Sequence, residues 1–509
     1  MAQIWSEISA SVAQFSNAIN SNELLALIYA MGKRSGRCRQ QCRTVPRRFN
    51  KLHLGHAVPA RTPHHIPILT MSKFAPISGF PEWLPEQRLL EQQCMDTIRR
   101  QYELYGFANI ETRSVEPTQV LSGNGDDKEI YVLARLHEDP NAPKAPPEFG
   151  LRFDLTVPTA RYVQQFKGQL SFPFKRYQMQ KVWRGERPQE GRYREFTQCD
   201  IDVIGDGALP SFYDAEVVRL MAVVTSQLPI PPITLRVNNR KLLQGFYEGL
   251  GITDPNAVLR VVDKLDKIGA PKVSALLQTE LGLTEAQAAQ CLAIASIKTA
   301  DTSFVAQVRA LGIRSPLLDE GLTELTEVLD NAADLNAARL AAGLPPSVCA
   351  DLAIARGLAY YTGMVCEGQM QGFESSGSVC GGGRYDNLAG DAKVKLPGAG
   401  MSIGLTRIMG LLFAKGVLKP TRKTPTDVLV ALNDDASRPV ANALANRLRG
   451  RGIATDLYHL PKAYGKQIEA ASKRGIPYVW FIGENASHQI KNLLTGEQMA
   501  VDPDTWLPG

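Results

Sequence analysis

Apolar and polar residues alternate along residues 174–205, and this pattern predicts two long strands joined by a charged hairpin. Side chains alternate with a period of two over residues 177–183 and again over residues 195–204. In the second strand one face carries Thr197, Cys199, Ile201 and Val203, and the other carries Gln198, Asp200 and Asp202. Phe196 and Ile204 flank the polar row, which indicates a walled pocket rather than a face open to solvent.

Residues 151–158, LRFDLTVP, predict another strand with two different faces. The apolar face takes Leu151, Phe153, Leu155 and Val157, and the polar face takes Arg152, Asp154 and Thr156. A carboxylate and a hydroxyl two residues apart can jointly accept hydrogen bonds from an ammonium group. The alternative is an edge strand with one wet face.

The remaining pattern predicts a mixture of helices and strands. Helices are predicted over residues 86–105, with Gly106 closing the helix, and over residues 214–228. Strands are predicted over residues 107–112 and 233–237, and Asn238 or Asn239 can cap the helix that follows the second of these. Residues 252–345 are rich in Ala and Leu at helical spacing, which predicts a helical insertion.

The last part of the chain has a different pattern. A glycine-punctuated strand runs into a helix over residues 398–412, and a linker rich in Lys, Pro and Thr follows at residues 415–426. Predicted strands at residues 427–432, 453–457 and 478–482 are then separated by helical segments. This alternation is typical of a small α/β domain with a largely parallel sheet.

Composition indicates a globular protein of more than one domain. The chain has 509 residues, 44% of them apolar and 21% charged, which is long enough for two to four domains. It has no run of about 18 apolar residues, so we expect no membrane span. Its eight cysteines lie mostly in apolar segments, which fits reduced thiols and a reducing compartment.

The net charge of +6 is concentrated at the N-terminus. Residues 1–70 hold nine Lys or Arg and two Glu, which gives +7 and leaves the other 439 residues near −1. The set Cys38, Cys42, His53 and His56 raises zinc binding as an alternative. It is disfavoured because the gap between the two histidines is shorter than is usual in a zinc finger. A transit peptide is another alternative, weakened by Glu7 and Glu23, and translation could instead begin at Met71. We favour a disordered or spurious extension.

The charged hairpin carries the strongest candidate chemistry. Four arginines crowd into eleven residues, with three glutamates among them: Arg184, Arg187, Arg192 and Arg194, with Glu186, Glu190 and Glu195. Guanidinium groups bind phosphate oxygens in a bidentate way, so this density suits a polyphosphate. The alternative is a solvated hairpin with surface ion pairs.

Two further stretches are candidates for lining a cleft. In an extended chain Tyr360 and Tyr361 point to opposite sides, so that one can line a pocket while the other packs; packing alone is the alternative. The triple glycine at residues 381–383 allows the backbone to approach a ligand closely. Arg407 lies on the first turn of an apolar helix, after a run of spaced glycines.

The hairpin also resembles a known motif. Trp183-Arg184-Gly185-Glu186, followed by the charged loop and RYREF, resembles motif 2 of class II aminoacyl-tRNA synthetases, and the form RxERPxxGRYREFxQCDxDxxG is that of histidyl-tRNA synthetases. Other blocks resemble the same family in order: LRFDLTVPTARY, ARGLAYYTGMVCEG, SVCGGGRYDNL, the motif 3-like GAGMSIGLTRIMGLL and GKQIEAASKRGIPYVWFIG. The resemblance covers residues 72–509.

The resemblance implies an architecture. The expected fold class is α+β, with a mainly antiparallel sheet flanked by helices, a helical insertion and a C-terminal α/β anticodon-binding domain. The expected domains are a basic extension at residues 1–70, a catalytic domain at 71–415 with its insertion at about 252–345, and the anticodon-binding domain at 426–509. The family further implies a cytoplasmic homodimer with no membrane contact, whose partners are tRNA(His), histidine and ATP.

The resemblance also implies roles for individual residues. Arg184 and Arg356 would be catalytic and would hold the α-phosphate of ATP, with Arg356 standing where other class II enzymes use a metal. Histidine would be bound by Asp154, Thr156 and Gln198 at its α-amino group, by Asp202 and Tyr361 at its imidazole, and by the adjacent Tyr360 and Tyr385. ATP would be bound by Arg184, Glu186, Arg192, Arg194 and Arg407. Mg²⁺ would accompany ATP without a direct protein metal motif, and no prosthetic group is implied.

The chain departs from the family pattern at two places. The family has Asp where this chain has Ala359, and a proline just after the first strand where this chain has Arg113. One alternative is a non-catalytic regulatory subunit resembling histidyl-tRNA synthetases. Such paralogues commonly lack the C-terminal domain and the Arg-Gly-Leu-x-Tyr-Tyr block, both of which are present here. A synthetase for another amino acid would not need the two histidine-specific blocks.

Overall fold

The computed structural model describes residues 75–122, 129–135, 146–355, 360–390, 394–484 and 487–509. The helices of this part are α1 (Pro85–Leu104), α2 (Thr118–Leu121), α3 (Thr156–Phe166), α4 (Phe212–Gln227), α5 (Arg240–Gly249), α6 (Pro255–Val262), α7 (Leu265–Ile268), α8 (Ala270–Thr279), α9 (Glu285–Ala295), α10 (Phe304–Ala310), α11 (Pro316–Asn331), α12 (Ala333–Ala341), α13 (Leu405–Ala414), α14 (Arg438–Gly450) and α15 (Tyr464–Arg474). Single 3₁₀ turns lie at Lys167–Gln169 and Glu374–Ser376.

The strands of the same residues are β1 (Ala108–Asn109), β2 (Val115–Pro117), β3 (Phe149–Leu151), β4 (Phe174–Trp183), β5 (Glu195–Ile204), β6 (Ile233–Asn239), β7 (Lys298–Thr299), β8 (Val348–Asp351), β9 (Met364–Met370), β10 (Cys380–Tyr385), β11 (Gly398–Gly404), β12 (Val428–Val430), β13 (Thr455–Leu457), β14 (Tyr478–Ile482), β15 (His488–Asn492) and β16 (Gln498–Ala500).

A large sheet organises the described part of the chain before residue 415. Its nine described strands have the order β1-β4-β5-β11-β10-β9-β6-β8-β7. Among these neighbours only β1–β4 and β6–β8 are parallel, so the sheet is mainly antiparallel as expected. The long hairpin strands β4 and β5 are second and third from one edge of this sheet and pair along their whole length.

The core face of β5 packs against helices. Cys199, Ile201 and Val203 are fully buried in one cluster with residues of α1 and α4. In α1 the buried side chains recur at Cys94, Ile98 and Tyr102, the four-residue spacing that puts them on one helix face. The Tyr102 hydroxyl donates a hydrogen bond to the Cys199 carbonyl at 3.1 Å. Burial on this side leaves the opposite, polar face of β5 to form a site.

The strand predicted at residues 151–158 is wrong. β3 ends at Leu151, and α3 begins at Thr156. The Asp154 carboxylate accepts a hydrogen bond from the Val157 backbone N–H at 3.1 Å, which satisfies one of the donors left over at a helix N-terminus. Arg152 is buried, and its guanidinium donates to the carbonyls of Thr112 and Lys181 instead of sharing a strand face with Asp154.

Other predicted elements differ from the observed ones in length. The strand expected over residues 107–112 is limited to β1, whereas the strand expected at 233–237 continues to Asn239. The Asn239 side chain caps α5 by accepting a hydrogen bond from the Lys241 N–H at 2.9 Å. The insertion is helical from α6 to α12, as expected, and it also contributes β7, which pairs with β8 at the sheet edge.

The C-terminal region is a separate α/β layer structure. Its described strands have the order β13-β12-β14-β15-β16, with β12 parallel to both β13 and β14. Side chains from α14 pack on one face of this sheet together with Trp480, and α15 packs on the other face. The antiparallel strands β15 and β16 were not predicted from the sequence.

Some expectations lie outside the described residues. These are the N-terminal extension with Cys38, Cys42, His53 and His56, together with Arg356 and Ala359. The three proposed domain ranges stay predictions. In the described ranges, none of the helices is long and apolar enough to pass through a bilayer.

Candidate functional site

The polar face of β5 becomes the floor of a site because strand register aligns it with its neighbours. Asp202 lies opposite Arg176 of β4 and Gly400 of β11. Asp200 lies between Gln178 and Ser402 in the next row. Side chains at a period of two in paired strands point to the same side of a sheet. The register therefore produces rows of polar groups across the sheet, bordered by glycines.

A cavity of about 130 Å³ lies over these rows. All seven side chains expected to bind histidine line it: Asp154, Thr156, Gln198, Asp202, Tyr360, Tyr361 and Tyr385. Arg184, Asp200, Ser402 and the glycines at 381–383 and 400 complete much of its wall. The fold thus brings together residues that are far apart in sequence, such as Asp154 and Tyr385.

Asp202 is held from two sides in the deep part of this cavity. Its Oδ1 accepts a hydrogen bond from the Tyr385 hydroxyl at 2.6 Å, and its Oδ2 is ion-paired with the buried Arg176. Burial raises the pKa of Asp202, while Arg176 and the Tyr385 hydroxyl act in the opposite direction. Burial and the neighbouring Asp202 raise the pKa of Tyr385 well above its ordinary value, so this hydroxyl keeps its proton and acts as the donor.

Asp154 and Thr156 enter the cavity from the start of α3. Burial raises the pKa of Asp154 to about 6, against the lowering effects of the Val157 N–H and of the Arg184 and Arg176 charges. A desolvated carboxylate of this kind is stabilised in its charged form by an arriving cation. The two residues lie together as expected, although a helix N-terminus and not a strand positions them.

The two adjacent tyrosines do not point to opposite sides. Both line the cavity, with ring centroids 4.5 Å apart, and the Tyr360 hydroxyl lies 3.4 Å from the Tyr361 hydroxyl. The prediction that one would line the pocket while the other packed elsewhere is therefore wrong. The backbone turns at Tyr360 instead of extending through both residues, and β9 begins only at Met364.

A second, larger cleft of about 1000 Å³ adjoins the cavity. Arg184, Gln198, Gly381 and Ser402 line both spaces and mark the opening between them. Glu186, Arg192 and Arg407 line the cleft, as expected for ATP-binding residues. The arrangement joins an acidic cavity to a cleft with guanidinium groups, which suits a ligand cation on one side and a polyphosphate on the other.

Arg184 is fixed in place at this opening. Its Nε donates to the Phe153 carbonyl at 3.0 Å, and its backbone N–H donates to the Arg194 carbonyl at 2.8 Å. The guanidinium carbon also lies 5.2 Å from the centre of the Phe196 ring, within the range of a cation–π contact. These contacts pre-orient Arg184 where the two spaces meet.

Arg407 lines the cleft, and Arg194 lies outside its lining. Arg407 donates to the Ser376 carbonyl, and burial together with the positive charge of Arg192 lowers its pKa. Arg194 does not line the cleft; its Nε donates to the Glu186 carbonyl at 3.2 Å and its backbone N–H to the Gly79 carbonyl at 2.7 Å. The roles of Glu186, Arg192, Arg194 and Arg407 in ATP binding stay predictions, and so does the role of Arg356.

Glycines leave the room that this site needs. A Cβ on Gly400 would lie 1.9 Å from Asp202 Oδ1, and a Cβ on Gly383 would lie 2.7 Å from the Tyr361 ring. Real Cβ atoms essentially never approach other atoms closer than 3.0 Å. Only glycine therefore permits the observed packing of Asp202 and Tyr361 against β10 and β11.

Sequence reasoning did not assign roles to Asp200, Ser402 or Arg176. Asp200 was visible in the polar row of β5, so the alternation gave a signal. Ser402 and Arg176 gave none, because their proximity depends on the register of β5 with β11 and β4, which a local pattern does not specify. In the described residues no group of three or more His, Cys, Asp or Glu could hold a metal ion by itself.

Comparison with known proteins identifies the family of the chain. The family model described as histidyl-tRNA synthetase matches residues 79–408, and the one described as anticodon binding domain matches residues 427–506. A histidine–tRNA ligase of Micrococcus luteus is 50% identical over 452 residues, covering 86% of this chain and 97% of that relative. A histidine–tRNA ligase of Thermobifida fusca is 52% identical over 435 residues, covering 85% of this chain and 97% of that relative.

A solved structure has the same architecture. The crystal structure of histidyl-tRNA synthetase from Nostoc sp. PCC 7120 matches with a TM-score of 0.75 at 36% sequence identity, covering 85% of this chain and 97% of that one. The family match extends over more than half of this chain. The chain belongs to the histidyl-tRNA synthetase family.

Proposed function

We propose that the protein is a histidine–tRNA ligase, which activates histidine with ATP and transfers it to the 3′ end of tRNA(His), releasing AMP and pyrophosphate. The observation that carries the proposal is the junction at Arg184, where a carboxylate-lined cavity opens into an arginine-lined cleft. A small zwitterion in the cavity would present its carboxylate to a nucleotide in the cleft at this point.

In the first step the histidine carboxylate attacks the α-phosphorus of ATP, forming histidyl-adenylate as pyrophosphate leaves. Arg184 and Arg356 hold the α-phosphate and neutralise the charge that develops on it. Little covalent chemistry is required of the protein, so positioning and electrostatic stabilisation provide most of the acceleration. The fixed geometry of Arg184 supports this role because a donor already oriented needs no reorganisation during reaction.

Histidine is held at both of its ends. Asp154, Thr156 and Gln198 bind the α-amino group near the opening. Asp202 and Tyr361 read the imidazole in the deep part, with Tyr360 and Tyr385 beside them. Neutral imidazole has one donor and one acceptor, and a site that satisfies both rejects side chains that lack them, since its own buried groups would stay unpaired.

ATP lies in the cleft against Glu186, Arg192 and Arg407. Arg194 does not line the cleft and acts on it by holding the Glu186 carbonyl. Mg²⁺ would accompany ATP and would supply positive charge that offsets the charge of the phosphates. The donor set fits this ion, because Mg²⁺ is usually bound by one or two carboxylates plus substrate phosphates, and Glu186 and Glu367 both line the cleft. These two residues would hold it.

In the second step the terminal adenosine hydroxyl of tRNA(His) takes the histidyl group. The α/β region at residues 427–506, which matches an anticodon binding domain, is the part we assign to tRNA recognition. The predicted helix and strand at residues 86–112 resemble class II motif 1, which builds the dimer interface in that class, and we therefore further propose a homodimer built through α1 and β1. Cytoplasmic action is consistent with Cys94, Cys199, Cys291 and Cys349, which are buried and form no disulfide.

Aminoacylation, sedimentation and pyrophosphate exchange test the proposal. The purified chain should charge tRNA(His) with labelled histidine in the presence of ATP, and it should sediment as a dimer. Arg356→Ala should abolish adenylate formation while leaving the circular-dichroism melting curve unchanged; near-normal pyrophosphate exchange by this variant would remove Arg356 from the mechanism. A chain that binds histidine but neither exchanges nor charges would support the non-catalytic regulatory alternative.

A further inference from the structure

Two side chains in the wall of the cavity each bury an oxygen atom that has no hydrogen-bond partner among the described residues. Asp200 is 2% exposed and Gln198 is 8% exposed, and both line the cavity. Asp200 Oδ1 and Gln198 Oε1 are buried and have no hydrogen-bond partner among the residues that the structure describes. Burying an unsatisfied acceptor costs free energy, so two at one position indicate a ligand group with N–H donors.

Ser402 sets the orientation of both groups. The Gln198 Nε2 donates to Ser402 Oγ at 2.9 Å, so the donor end of this amide is used and its oxygen is left as an acceptor. The Ser402 hydroxyl in turn is hydrogen-bonded to the Asp200 carboxylate. One hydroxyl is thus hydrogen-bonded to both side chains: Ser402 lies opposite Asp200 in the β5–β11 ladder, and Gln198 lies in the adjacent row, opposite Gly404.

The position of Asp200 along the cavity identifies the ligand group. Gln198 lies at the opening to the ATP cleft, whereas Asp202 lies four residues further along β5 and lines only the cavity. Asp200 is between them. In a histidine whose carboxylate faces the cleft and whose imidazole lies deep, the α-ammonium occupies this intermediate position.

We infer that Asp200 is the counter-ion of the histidine α-ammonium group and acts together with Gln198. The inference rests on the proposed function and adds a residue to its amino-acid site. Burial raises the pKa of Asp200 to about 7, with Asp202 and Asp154 acting in the same direction and Arg176 and Ser402 against them. A bound ammonium group restores the interactions that the ionised carboxylate lost on leaving water.

The competing explanation is a structural ion pair between Asp200 and Arg176. The observed contacts disfavour it, because Arg176 is paired with Asp202, the residue directly opposite it in the β4–β5 ladder. Asp200 lies opposite Gln178, whose Nε2 donates to Thr112 at 2.7 Å. The free oxygen of Asp200 is therefore not explained by the framework of the sheet.

Two histidine analogues separate the possibilities in the full chain. Histidinol keeps the ammonium and imidazole groups and lacks the carboxylate, whereas 3-(imidazol-4-yl)propanoate lacks the ammonium group. In isothermal titration calorimetry, Asp200→Asn should weaken histidinol binding by about tenfold or more, the loss expected for one charged hydrogen bond. Binding of 3-(imidazol-4-yl)propanoate should stay unchanged. Ser402→Ala should also weaken histidinol binding, by a smaller factor.

The matched control is Asp206→Asn, the same change at an exposed residue outside the cavity, which should alter neither affinity. Equal weakening of both analogues by Asp200→Asn would mean a structural or imidazole role and would overturn the inference, as would unchanged histidinol binding. Should Asp200→Asn fail to fold, Ser402→Ala decides between the same outcomes. If the protein without substitutions neither binds histidinol nor catalyses histidine-dependent ATP–pyrophosphate exchange, the proposed function itself is overturned.

Discussion

Replacing Gly400 with alanine tests whether the space around Asp202 controls histidine binding. The new Cβ would lie 1.9 Å from Asp202 Oδ1, 2.6 Å from its Cγ and 2.7 Å from the Ile201 carbonyl oxygen. Because real contacts begin near 3.0 Å, Oδ1 must move by roughly 1 Å, or β11 must shift against β5. Oδ1 is the atom that accepts the hydrogen bond from Tyr385.

The expected magnitude follows from that hydrogen bond. A hydrogen bond to a charged group contributes about 1.5–3 kcal/mol, and overpacking of this kind costs about 1–3 kcal/mol. Since about 1.4 kcal/mol corresponds to a factor of ten, loss of the Tyr385–Asp202 contact predicts a KM for histidine about 10- to 100-fold higher. The KM for ATP should change little, because Gly400 and Asp202 do not line the ATP cleft.

The assay is histidine-dependent ATP–pyrophosphate exchange with each substrate titrated in turn, beside a thermal melting curve. Gly465→Ala is the matched control, since a Cβ there meets no atom within 4 Å and Gly465 lies within a helix, α15. A KM for histidine equal to that of the unchanged chain would refute the assignment of Asp202 to the amino-acid site. A parallel rise in both KM values would show general distortion instead.

Arg407→Ala should raise the KM for ATP and leave that for histidine unchanged in the same exchange assay, because Arg407 lines only the cleft; an unchanged KM for ATP would contradict this. Asp154→Asn should change stability in a pH-dependent way. The native Asp154 holds its proton up to a pH of about 6, whereas the unfolded value is 3.8, so between these pH values the native state binds more protons and its free energy of unfolding falls as pH rises. The variant should therefore melt at the same temperature as the unchanged chain near pH 4 and at a higher one at pH 8, by at most about 3 kcal/mol in stability; a variant less stable at pH 8 would contradict the cause given for the shift.

The local alternation of side chains predicts β5 and its polar face, but not the neighbouring strands that complete the site. The bounds of β5 and its division into a core face and a polar face follow from alternation within ten residues. The rows that make the polar face a site depend on pairing with β11, about two hundred residues later, and so Ser402 could not be connected with Asp200 in advance. Pairing between distant strands is set by the whole fold.

The wrong predictions share a physical cause. At residues 151–158 the side chains do alternate between apolar and polar, yet Asp154 accepts a hydrogen bond from the Val157 N–H at the start of α3. A carboxylate just before an apolar stretch is also a sequence signal for the start of a helix. At Tyr360 and Tyr361 the extended conformation was assumed, and a turn puts both rings on the same cavity. In each case a local backbone turn overrode a period-two interpretation.

The most direct measurement is ATP–pyrophosphate exchange with each of the twenty amino acids, on the full chain and on a version that starts at Met71. The account predicts exchange with histidine alone, at equal rates in the two versions, because the described site lies after residue 75. Exchange with another amino acid would contradict the assignment of the cavity to imidazole. Absence of exchange with any amino acid would contradict the catalytic function.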